Sequence, residues 1–451
     1  MPQPGAFASA GRPGQFCSLL RGAQQVTSAD RKARPAIIEQ LALFEQKLAN
    51  PRQDSRVFVR NESNLPHVYR PEAGSVFRLK AVLVKRGDVH VWTASSLPVS
   101  LRQLFLPTHD SVLLLVHPQS LSYYRPLLTM RGVTPCIDSV FYATPTASSR
   151  TLLAWKDGSE SKPFCVKVSL DAVIGEVHRT IPSERVCKCV GLTQMLARAS
   201  DIPPTAVFWP EYLGVAPHCL PRGGMLLRGI PPSAIGKPTL HVPLFALTSD
   251  PRGFGEPLLV TAVRNSSLDV VDWLRVFLLQ PFARDSMHLA TLCGITMEPH
   301  AQNVLIEMTK DFRPTGRLAF RDLEDICVDI PYRSVIDLIQ PVEYPTINGW
   351  RRDYHQHNRR QPLIDSLSIY FERGVLWQLT EALLQWRSSQ LLRIPHNFNS
   401  RTLTCLFRAE VRAWVRDNIG VNLSLRSNPY DDLAYAVARF RARKRNTARH
   451  T

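Results

Sequence analysis

Residues 294–325, GITMEPHAQNVLIEMTKDFRPTGRLAFRDLED, hold the pattern that most constrains the fold. Two apolar runs, at 302–308 and 317–321, flank the segment TKDFRPTG, whose Pro and Gly residues are typical of a turn. The spacing predicts a β-hairpin with its turn centred between residues 312 and 313.

Polar side chains cluster where this predicted hairpin begins and ends. The register puts Asn303 opposite Asp322, and Glu298 and His300 precede the first strand on the same edge. Converging oxygen ligands suit Mg²⁺, which is usually bound through one or two protein carboxylates and substrate phosphates. The pattern therefore predicts a magnesium site. A polar strand end with a satisfied asparagine and aspartate is the alternative interpretation.

A second hairpin is predicted within residues 146–180, TASSRTLLAWKDGSESKPFCVKVSLDAVIGEVHRT. A turn near residue 159 places Thr151 opposite Lys167, and Arg179 follows later in the segment. The residues just before the first strand are Ser148, Ser149 and Arg150. Hydroxyl groups and cations suit a triphosphate or a polycarboxylate, because arginine forks match carboxylate and phosphate oxygens. A capped strand with solvated charges fits the same pattern.

The rest of the chain mixes strands and helices without strict alternation. Alternating apolar residues at 76–84, the turn KRGD and residues 89–92 predict another hairpin. Helical periodicity covers residues 35–49. Further helices are predicted at 266–279 with Ser266 or Ser267 as the cap, from Pro281 to about Cys293, and at 363–386, 403–417 and 431–445. This mixture predicts the α+β class rather than a doubly wound parallel sheet.

Composition indicates a packed protein rather than a disordered one. The 451 residues are 44% hydrophobic, and 55 Lys and Arg against 38 Asp and Glu give a net charge of +17. No apolar run reaches the ~18 residues that a membrane helix needs. The basic balance leaves nucleic-acid binding open, but no zinc-finger, RNA-recognition or basic-heptad pattern accompanies it. The basic residues between Arg439 and Arg449 are interpreted as a solvated tail.

Several common catalytic motifs are missing from the sequence. Between Gly229 and Gly236 six residues stand where a phosphate-binding loop has four, and Pro238 replaces its Ser or Thr. Nine irregularly spaced cysteines include no C-x-x-C pair, which argues against a zinc ribbon and suits a reducing cytoplasm. The pair His355 and His357 has no acidic or Cys partner nearby and is predicted to lie in a surface loop.

The two hairpin segments together resemble a known family. E-P-H-A-Q-N at 298–303 with the later Arg321-Asp322, and S-S-R-T at 148–151 followed by a strand lysine and H-R-T at 178–180, resemble the NRPS-independent siderophore synthetases, the aerobactin-synthetase-like family. Tyr69-Arg-Pro-Glu72 resembles its Y-x-P-E element, and His117-Pro-Gln119 resembles its H-P-W-Q stretch. The chain departs from the family at residues 57–68, VFVRNESNLPHV, where members usually carry G-H-P-x-H-P-x-x-K.

The resemblance implies roles for individual residues. The ATP-binding set is Ser148, Ser149, Arg150, Thr151, Lys167 and Gln302. The magnesium ligands are Glu298, Asn303 and Asp322, with Arg321 in support. Arg179 and His300 hold the substrate carboxylate and, with Lys167, form the catalytic set. His300 as a satisfied core histidine is an alternative, and Arg228 is interpreted either as another anion contact or as a surface arginine.

The resemblance also implies an activity. Members use ATP and Mg²⁺ to adenylate a polycarboxylate, here citrate or a citryl derivative, and then condense it with an amine or hydroxyl. The expected protein is a cytoplasmic siderophore-biosynthesis ligase for iron acquisition that acts on small molecules without nucleic acid or membrane. A homodimer is common in the family. The alternatives are a catalytically impaired homologue that binds nucleotide and a basic nucleic-acid or anion-binding protein.

The implied architecture is a cupped hand of thumb, fingers and palm. Residues 1–34 are interpreted as a disordered or mis-started extension, and 35–140 as a reduced thumb. The ATP-binding fingers span 141–293. The palm spans 294–451 and ends in a helical segment, resembling a ferric-iron reductase, and the basic tail.

Overall fold

A computed structural model describes most of the chain. The described residues are 35–46, 64–130, 132–135, 141–156, 163–174, 177–235, 239–249, 256–329, 332–333, 361–389, 392–423 and 429–448. The predicted extension at 1–34, most of the divergent segment 57–68 and the pair His355 and His357 lie outside them.

Seventeen strands occur in the described residues. They are β1 (Phe77–Lys85), β2 (Val89–Thr93), β3 (Ser111–Val116), β4 (Thr134–Pro135), β5 (Phe141–Pro145), β6 (Thr151–Lys156), β7 (Phe164–Val168), β8 (Val173–Ile174), β9 (Val177–His178), β10 (Ala206–Phe208), β11 (Glu211–Pro217), β12 (Met225–Arg228), β13 (Thr239–Pro243), β14 (Ile295–Thr296), β15 (Val304–Thr309), β16 (Pro314–Phe320) and β17 (Cys327–Val328).

Helices precede, interrupt and follow these strands. They are α1 (Ala36–Gln46), α2 (Val99–Phe105), α3 (Arg125–Leu128), α4 (Ser183–Arg198), α5 (Pro232–Ile235), α6 (Leu258–Arg264), α7 (Val270–Leu274, continued by Arg275–Leu279, Gln280–His288 and Leu289–Cys293), α8 (Gln361–Ile364, continued by Asp365–Leu376 and Trp377–Ser389), α9 (Thr402–Ile419) and α10 (Pro429–Ala448). Helix α1 and the three C-terminal helices confirm the predictions for those regions.

The larger sheet carries the first candidate segment. Its strand order is β2-β11-β12-β7-β6-β5-β1-β3, and β4 also pairs with β1. Strands β6 and β7 form the predicted hairpin, with Thr151 paired with Lys167 as predicted. The nearly symmetric placement of the two apolar runs around KDGSES made this register predictable.

The predicted pairing of β1 with β2 is wrong, although both strands exist. Strand β1 pairs with β3, β4 and β5, whereas β2 pairs with β11, for example Val91 with Val215. Only Arg86–Asp88 separates β1 from β2, and the step from Lys85 to Val89 spans at most about 14 Å. Six spacings of about 4.8 Å would separate the two strands in a flat sheet, so the sheet curls around on itself.

The smaller sheet, β10-β16-β15-β13, carries the second candidate segment. The predicted hairpin exists as β15 and β16, but its register is shifted by one residue. Val304 pairs with Phe320, and the Arg321 amide donates to the Asn303 carbonyl at 3.0 Å, so Asn303 faces Arg321 rather than Asp322. An irregularity between Ile306 and Met308 and the left-handed Phe312 in the turn make the hairpin asymmetric.

Helix α7 differs from its prediction in its cap and its continuity. The Asp269 carboxylate, rather than Ser266 or Ser267, caps it by accepting from the Val271 and Asp272 amides at 2.8 and 2.9 Å. The helix then runs through Pro281 without a break. A wider π turn at Arg275–Leu279 precedes this proline, whose nitrogen has no hydrogen to donate, so the helix continues past it.

Two large cores underlie the two sheets. Phe77, Phe141 and Phe164 lie in the core of the larger sheet. In the other core, α7, α8 and α9 pack together through Phe282, Phe371 and Phe407; the Phe282 and Phe371 rings stack at 3.6 Å. The C-terminal helices therefore belong to the same core as the second candidate segment.

The sheets cross the predicted domain limits. Strands on both sides of residue 140 pair as β1 and β5, and strands on both sides of residue 293 pair as β13 and β15. The division into thumb, fingers and palm stays a prediction. Within the described part of the chain, no helix combines the length and apolar character needed to cross a bilayer.

Candidate functional site

The turn before β6 holds the four residues predicted to bind phosphate. The Ser148 hydroxyl accepts from the Thr151 amide at 2.9 Å, which closes the turn. Ser149 has a φ of 60°, one of three left-handed residues other than glycine among those described; Asp322 is another. Such backbone conformations are costly and are concentrated at functional sites. Both candidate segments therefore contain a strained residue at a predicted site position.

Lys167 joins the two candidate segments. Its side chain is 1% exposed, and its ammonium donates to Asp322 Oδ1 at 2.6 Å and Glu324 Oε2 at 2.7 Å. Burial acts to lower the pKa of Lys167, but the carboxylates of Asp322 and Glu324 outweigh it and hold the pKa above its ordinary value. A predicted phosphate ligand and a predicted metal ligand are thus in direct contact.

Glu324 accepts hydrogen bonds from three cationic side chains. Besides Lys167, it accepts from Arg150 Nη2 at 3.2 Å and from Arg185 of α4. Burial acts to raise the pKa of Glu324, but Lys167 and Arg150 lower it to about 2. Neither Glu324 nor Arg185 was predicted as a site residue from the sequence. Glu324 lies only two residues after Asp322, which was a usable signal, whereas nothing marked Arg185.

Arg228 is a buried member of the site, so its interpretation as a surface arginine is wrong. Its guanidinium donates to Glu211 Oε1 from Nη2 at 2.7 Å and from Nε at 3.1 Å. It also lies 3.5 Å from Asp322 Oδ1. Burial acts to raise the pKa of Asp322, but Lys167 and Arg228 hold it well below its ordinary value. Asp322 therefore stays ionised between two cations.

The E-P-H-A-Q-N residues form one tight turn before β15. The backbone amide of His300 donates to the Glu298 carbonyl at 3.1 Å, and that of Asn303 donates to the His300 carbonyl at 2.9 Å. His300 Nδ1 accepts from the Gln302 amide at 3.2 Å, and the Asn303 side chain donates to the Glu298 carbonyl. His300 and Asn303 are both buried.

A second carboxyl group lies beside this turn. Burial, the charges of Glu298, Asp322 and Glu324, and a hydrogen bond with Glu298 together raise the pKa of Asp325 well above its ordinary value. A divalent cation bound here would offset the repulsion among these carboxylates. Within the part of the chain described, no group of three or more His, Cys, Asp or Glu side chains has a formed metal-site geometry. The magnesium ligands stay a prediction.

The remaining predicted residues lie around this centre. Arg179 donates to the Ile174 carbonyl at 3.2 Å, and the next residue, Thr180, accepts from Arg150 Nη1 at 3.3 Å through its carbonyl. Arg321 donates from Nε to the Gln302 carbonyl at 2.8 Å. The structure thus brings Arg150, Lys167 and Asp322 into one ionic cluster.

Two other motif residues pack in the core of the larger sheet. The rings of Tyr69 and His117 meet edge to face at 4.7 Å, and Phe77 lies 5.1 Å from His117. His117 has no exposed surface, and burial lowers its pKa to about 3. These residues connect the two motifs through packing.

Comparisons with known proteins agree with these features. The model of the IucA / IucC family matches residues 42–213, and the model described as ferric iron reductase FhuF-like transporter matches 279–434. A curated relative, L-2,3-diaminopropanoate–citrate ligase from Staphylococcus aureus, is 27% identical over 349 residues. The match covers 70% of this chain but only 56% of that protein, so the chain spans little more than half the length of this relative.

Solved structures share the fold. ATP-bound aerobactin synthetase IucA from Klebsiella pneumoniae superimposes with a TM-score of 0.60 at 18% identity, covering 87% of this chain and 73% of that one. The petrobactin biosynthesis protein AsbB from Bacillus anthracis gives 0.59 at 14% identity, covering 90% and 75%. The predicted α+β class is therefore confirmed. The motif residues, the IucA / IucC family match over residues 42–213 and this fold are all similar to those of the NRPS-independent siderophore synthetases.

Proposed function

We propose that this protein is an ATP-dependent ligase of siderophore biosynthesis. It adenylates citrate or a citryl derivative and condenses it with an amine or a hydroxyl. The observation that carries the proposal is the contact of Lys167 with Asp322 and Glu324, because it joins the predicted nucleotide turn to the predicted metal turn in one buried site. The name of the Staphylococcus aureus relative, a citrate ligase, supports the substrate class.

The cations of the site suit an attack by a carboxylate on a phosphate. Both groups are negative, so they repel each other unless fixed positive charge offsets the repulsion. Lys167 and Arg150 supply that charge beside the Ser148–Thr151 turn, in a buried place where electrostatic effects are strong. Their present partner, Glu324, holds them in position.

The carboxylates of the site suit a divalent cation. Burial and the charges of Glu298, Asp322 and Glu324 raise the pKa of Asp325, and a cation bound among these carboxylates would offset their mutual repulsion. Glu298, Asn303 and Asp322 would hold Mg²⁺, with Asp325 beside them. When bound, the ion would neutralise phosphate charge.

His300 and Arg179 are proposed to hold the substrate carboxylate. His300 is buried, and its Nδ1 accepts from the Gln302 amide, which favours the tautomer with the proton on Nε2, the nitrogen proposed to donate to a carboxylate. The impaired homologue remains the second candidate, because residues 57–68 lack the family's G-H-P-x-H-P-x-x-K element.

The test is pyrophosphate release from ATP and Mg²⁺ across a panel of polycarboxylates, with and without hydroxylamine as a trapping nucleophile. We expect release that depends on one acid and on Mg²⁺. Lys167→Ala and His300→Ala should each reduce it by about a hundredfold or more. Lys310→Ala, an exposed lysine in the β15–β16 turn, is the control and should behave like the wild type.

The other outcomes separate the alternatives. ATP binding without release for any acid would favour the impaired homologue. Steeply salt-dependent binding of DNA or RNA that survives Arg150→Ala and His300→Ala would favour a nucleic-acid-binding protein. Near-normal turnover in both site variants would contradict the residue assignment. Cytoplasmic location and a homodimer stay predictions, the latter to be checked by sedimentation.

A further inference from the structure

Helix α1 ends in a carboxylate that touches both candidate segments. Glu45 is buried, and its Oε2 accepts from the Ala147 amide at 3.2 Å. The same carboxylate takes both terminal nitrogens of Arg321, with Nη2 at 3.2 Å from Oε2. The neighbouring Gln46 donates to Thr144 Oγ1 at 2.6 Å and to the Pro145 carbonyl at 2.7 Å.

Each partner of Glu45 adjoins a proposed ligand. Ala147 immediately precedes Ser148 of the nucleotide turn. Arg321 immediately precedes the left-handed Asp322, and its Nε donates to the Gln302 carbonyl, next to Asn303. The Glu45 carboxylate therefore fixes the start of the predicted nucleotide turn. It also fixes the guanidinium of Arg321, which follows β16 and is hydrogen-bonded to the turn before β15.

We propose that Glu45 is a positioning residue that sets the spacing between the Ser148–Thr151 turn and the Asn303–Asp322 turn. This inference rests on the proposed function, because it assigns nucleotide and metal to those turns. Glu45 reaches both through buried, charge-assisted hydrogen bonds, which hold geometry more tightly than neutral ones. Outer partners of this kind orient the ligands that touch the metal.

The test compares Glu45→Gln with Glu39→Gln by titration calorimetry of MgATP. Glutamine keeps the size of Glu45 and an oxygen for the Ala147 amide but removes the charge facing Arg321. We expect Glu45→Gln to bind MgATP roughly tenfold more weakly and to need more Mg²⁺ for half-maximal pyrophosphate release. Glu39 lies exposed on the same helix, so Glu39→Gln controls for the charge change and should match the wild type.

The possible outcomes separate a failure of the role proposed for Glu45 from a failure of the proposed function. A residue that serves folding alone would lower the melting temperature and leave the MgATP affinity of the folded variant unchanged, which would overturn the inference. Wild-type protein that fails to bind MgATP would overturn both the inference and the proposed function.

A measurement on the wild type covers the case in which Glu45→Gln does not fold. Hydrogen exchange of residues 36–46 should slow when MgATP binds, because the helix end is tied to both turns. Exchange that MgATP leaves unchanged there, while it slows around Ser148–Thr151, would overturn the inference.

Discussion

Glu324 accepts hydrogen bonds from three cationic side chains of the candidate site. Lys167, Arg150 and Arg185 all donate to it, and its pKa of about 2 keeps it ionised at any physiological pH. Removing one partner would leave buried charge uncompensated, which typically costs more than the pair contributes. The Lys167→Ala variant should therefore be checked for folding before its activity is interpreted.

His117 makes folding stability depend on pH. Its folded pKa of about 3 lies below the ordinary value of 6.5, so between these values the unfolded chain binds a proton that the folded protein does not. The free energy of unfolding should fall as the pH drops below about 6.5, by up to about 1.4 kcal/mol per pH unit from this group. His117→Gln should flatten the pH dependence measured by urea unfolding between pH 7 and 4.

The control for this change is His109→Gln, because the His109 side chain is 94% exposed. It should leave the slope of unfolding free energy against pH as in the wild type. Equal slopes for His117→Gln and the wild type would contradict the lowered pKa of His117, because they would mean that folding leaves this pKa unchanged.

The pairing of single residues was predictable where a hairpin is symmetric about its turn. Thr151 and Lys167 could be paired from the sequence because their hairpin has no irregularity. Asn303 was misplaced by one position because the irregularity between Ile306 and Met308 has no local signature. Arg185 and Glu45 were missed because only tertiary packing brings them to the site.

Helix α8 passes directly beside His300. A Cβ built at Gly374 would lie 4.0 Å from the His300 Cβ and 3.5 Å from the Ile369 carbonyl oxygen, both ordinary contact distances. The C-terminal helices thus form one wall at the proposed substrate histidine. This contact links α8 to the turn that holds His300, and both lie within residues 279–434, which the FhuF-like model matches.

Gly374→Ala should affect stability alone, whereas Gly374→Leu should affect substrate binding. Alanine fits the space, so it should raise the free energy of unfolding by about 0.4–1 kcal/mol and leave activity unchanged. Leucine should crowd His300 and raise the KM for the carboxylate in the pyrophosphate assay. Arg373→Leu places the same side chain on the exposed neighbouring position and should leave KM unchanged. An unchanged KM in Gly374→Leu would contradict the proposed wall.

The positions of helices and strands were predicted better than the pairing between strands. The strands β1 and β2 and the helices α1, α9 and α10 follow from periodicity, which is a local property. The pairing of β2 with β11 depends on residues far apart in the chain, and periodicity contains no information about it. The unbroken course of α7 was missed because proline normally ends a helix, and the π turn before Pro281 has no recognised pattern.

The molecule as a whole carries a net charge of +17, and both proposed substrates are anions. A positive field raises the local concentration of anionic ligands, and salt screens it over a Debye length of about 10 Å at 0.1 M. Raising KCl from 50 to 500 mM should therefore increase the KM for ATP and for the carboxylate by roughly threefold or more, with a smaller change in kcat.

Sucrose at matched osmolality is the control for this experiment, because it alters solvent properties without screening charge. It should leave both KM values near those at low salt. A salt effect confined to kcat would mean that screening acts on the buried cluster rather than on the approach of substrates.

The curled sheet also determines the order in which the chain can assemble during synthesis. Strand β2 leaves the ribosome more than a hundred residues before its partner β11, a delay of about 5–25 s at ordinary translation rates. Until β3 and β5, the partners of β1, have also emerged, β1 is adjacent and available for an incorrect local hairpin. The turn at Arg86–Asp88 is a 3₁₀ turn rather than the primed two-residue turn that hairpins prefer, so it works against that pairing while the nascent chain waits.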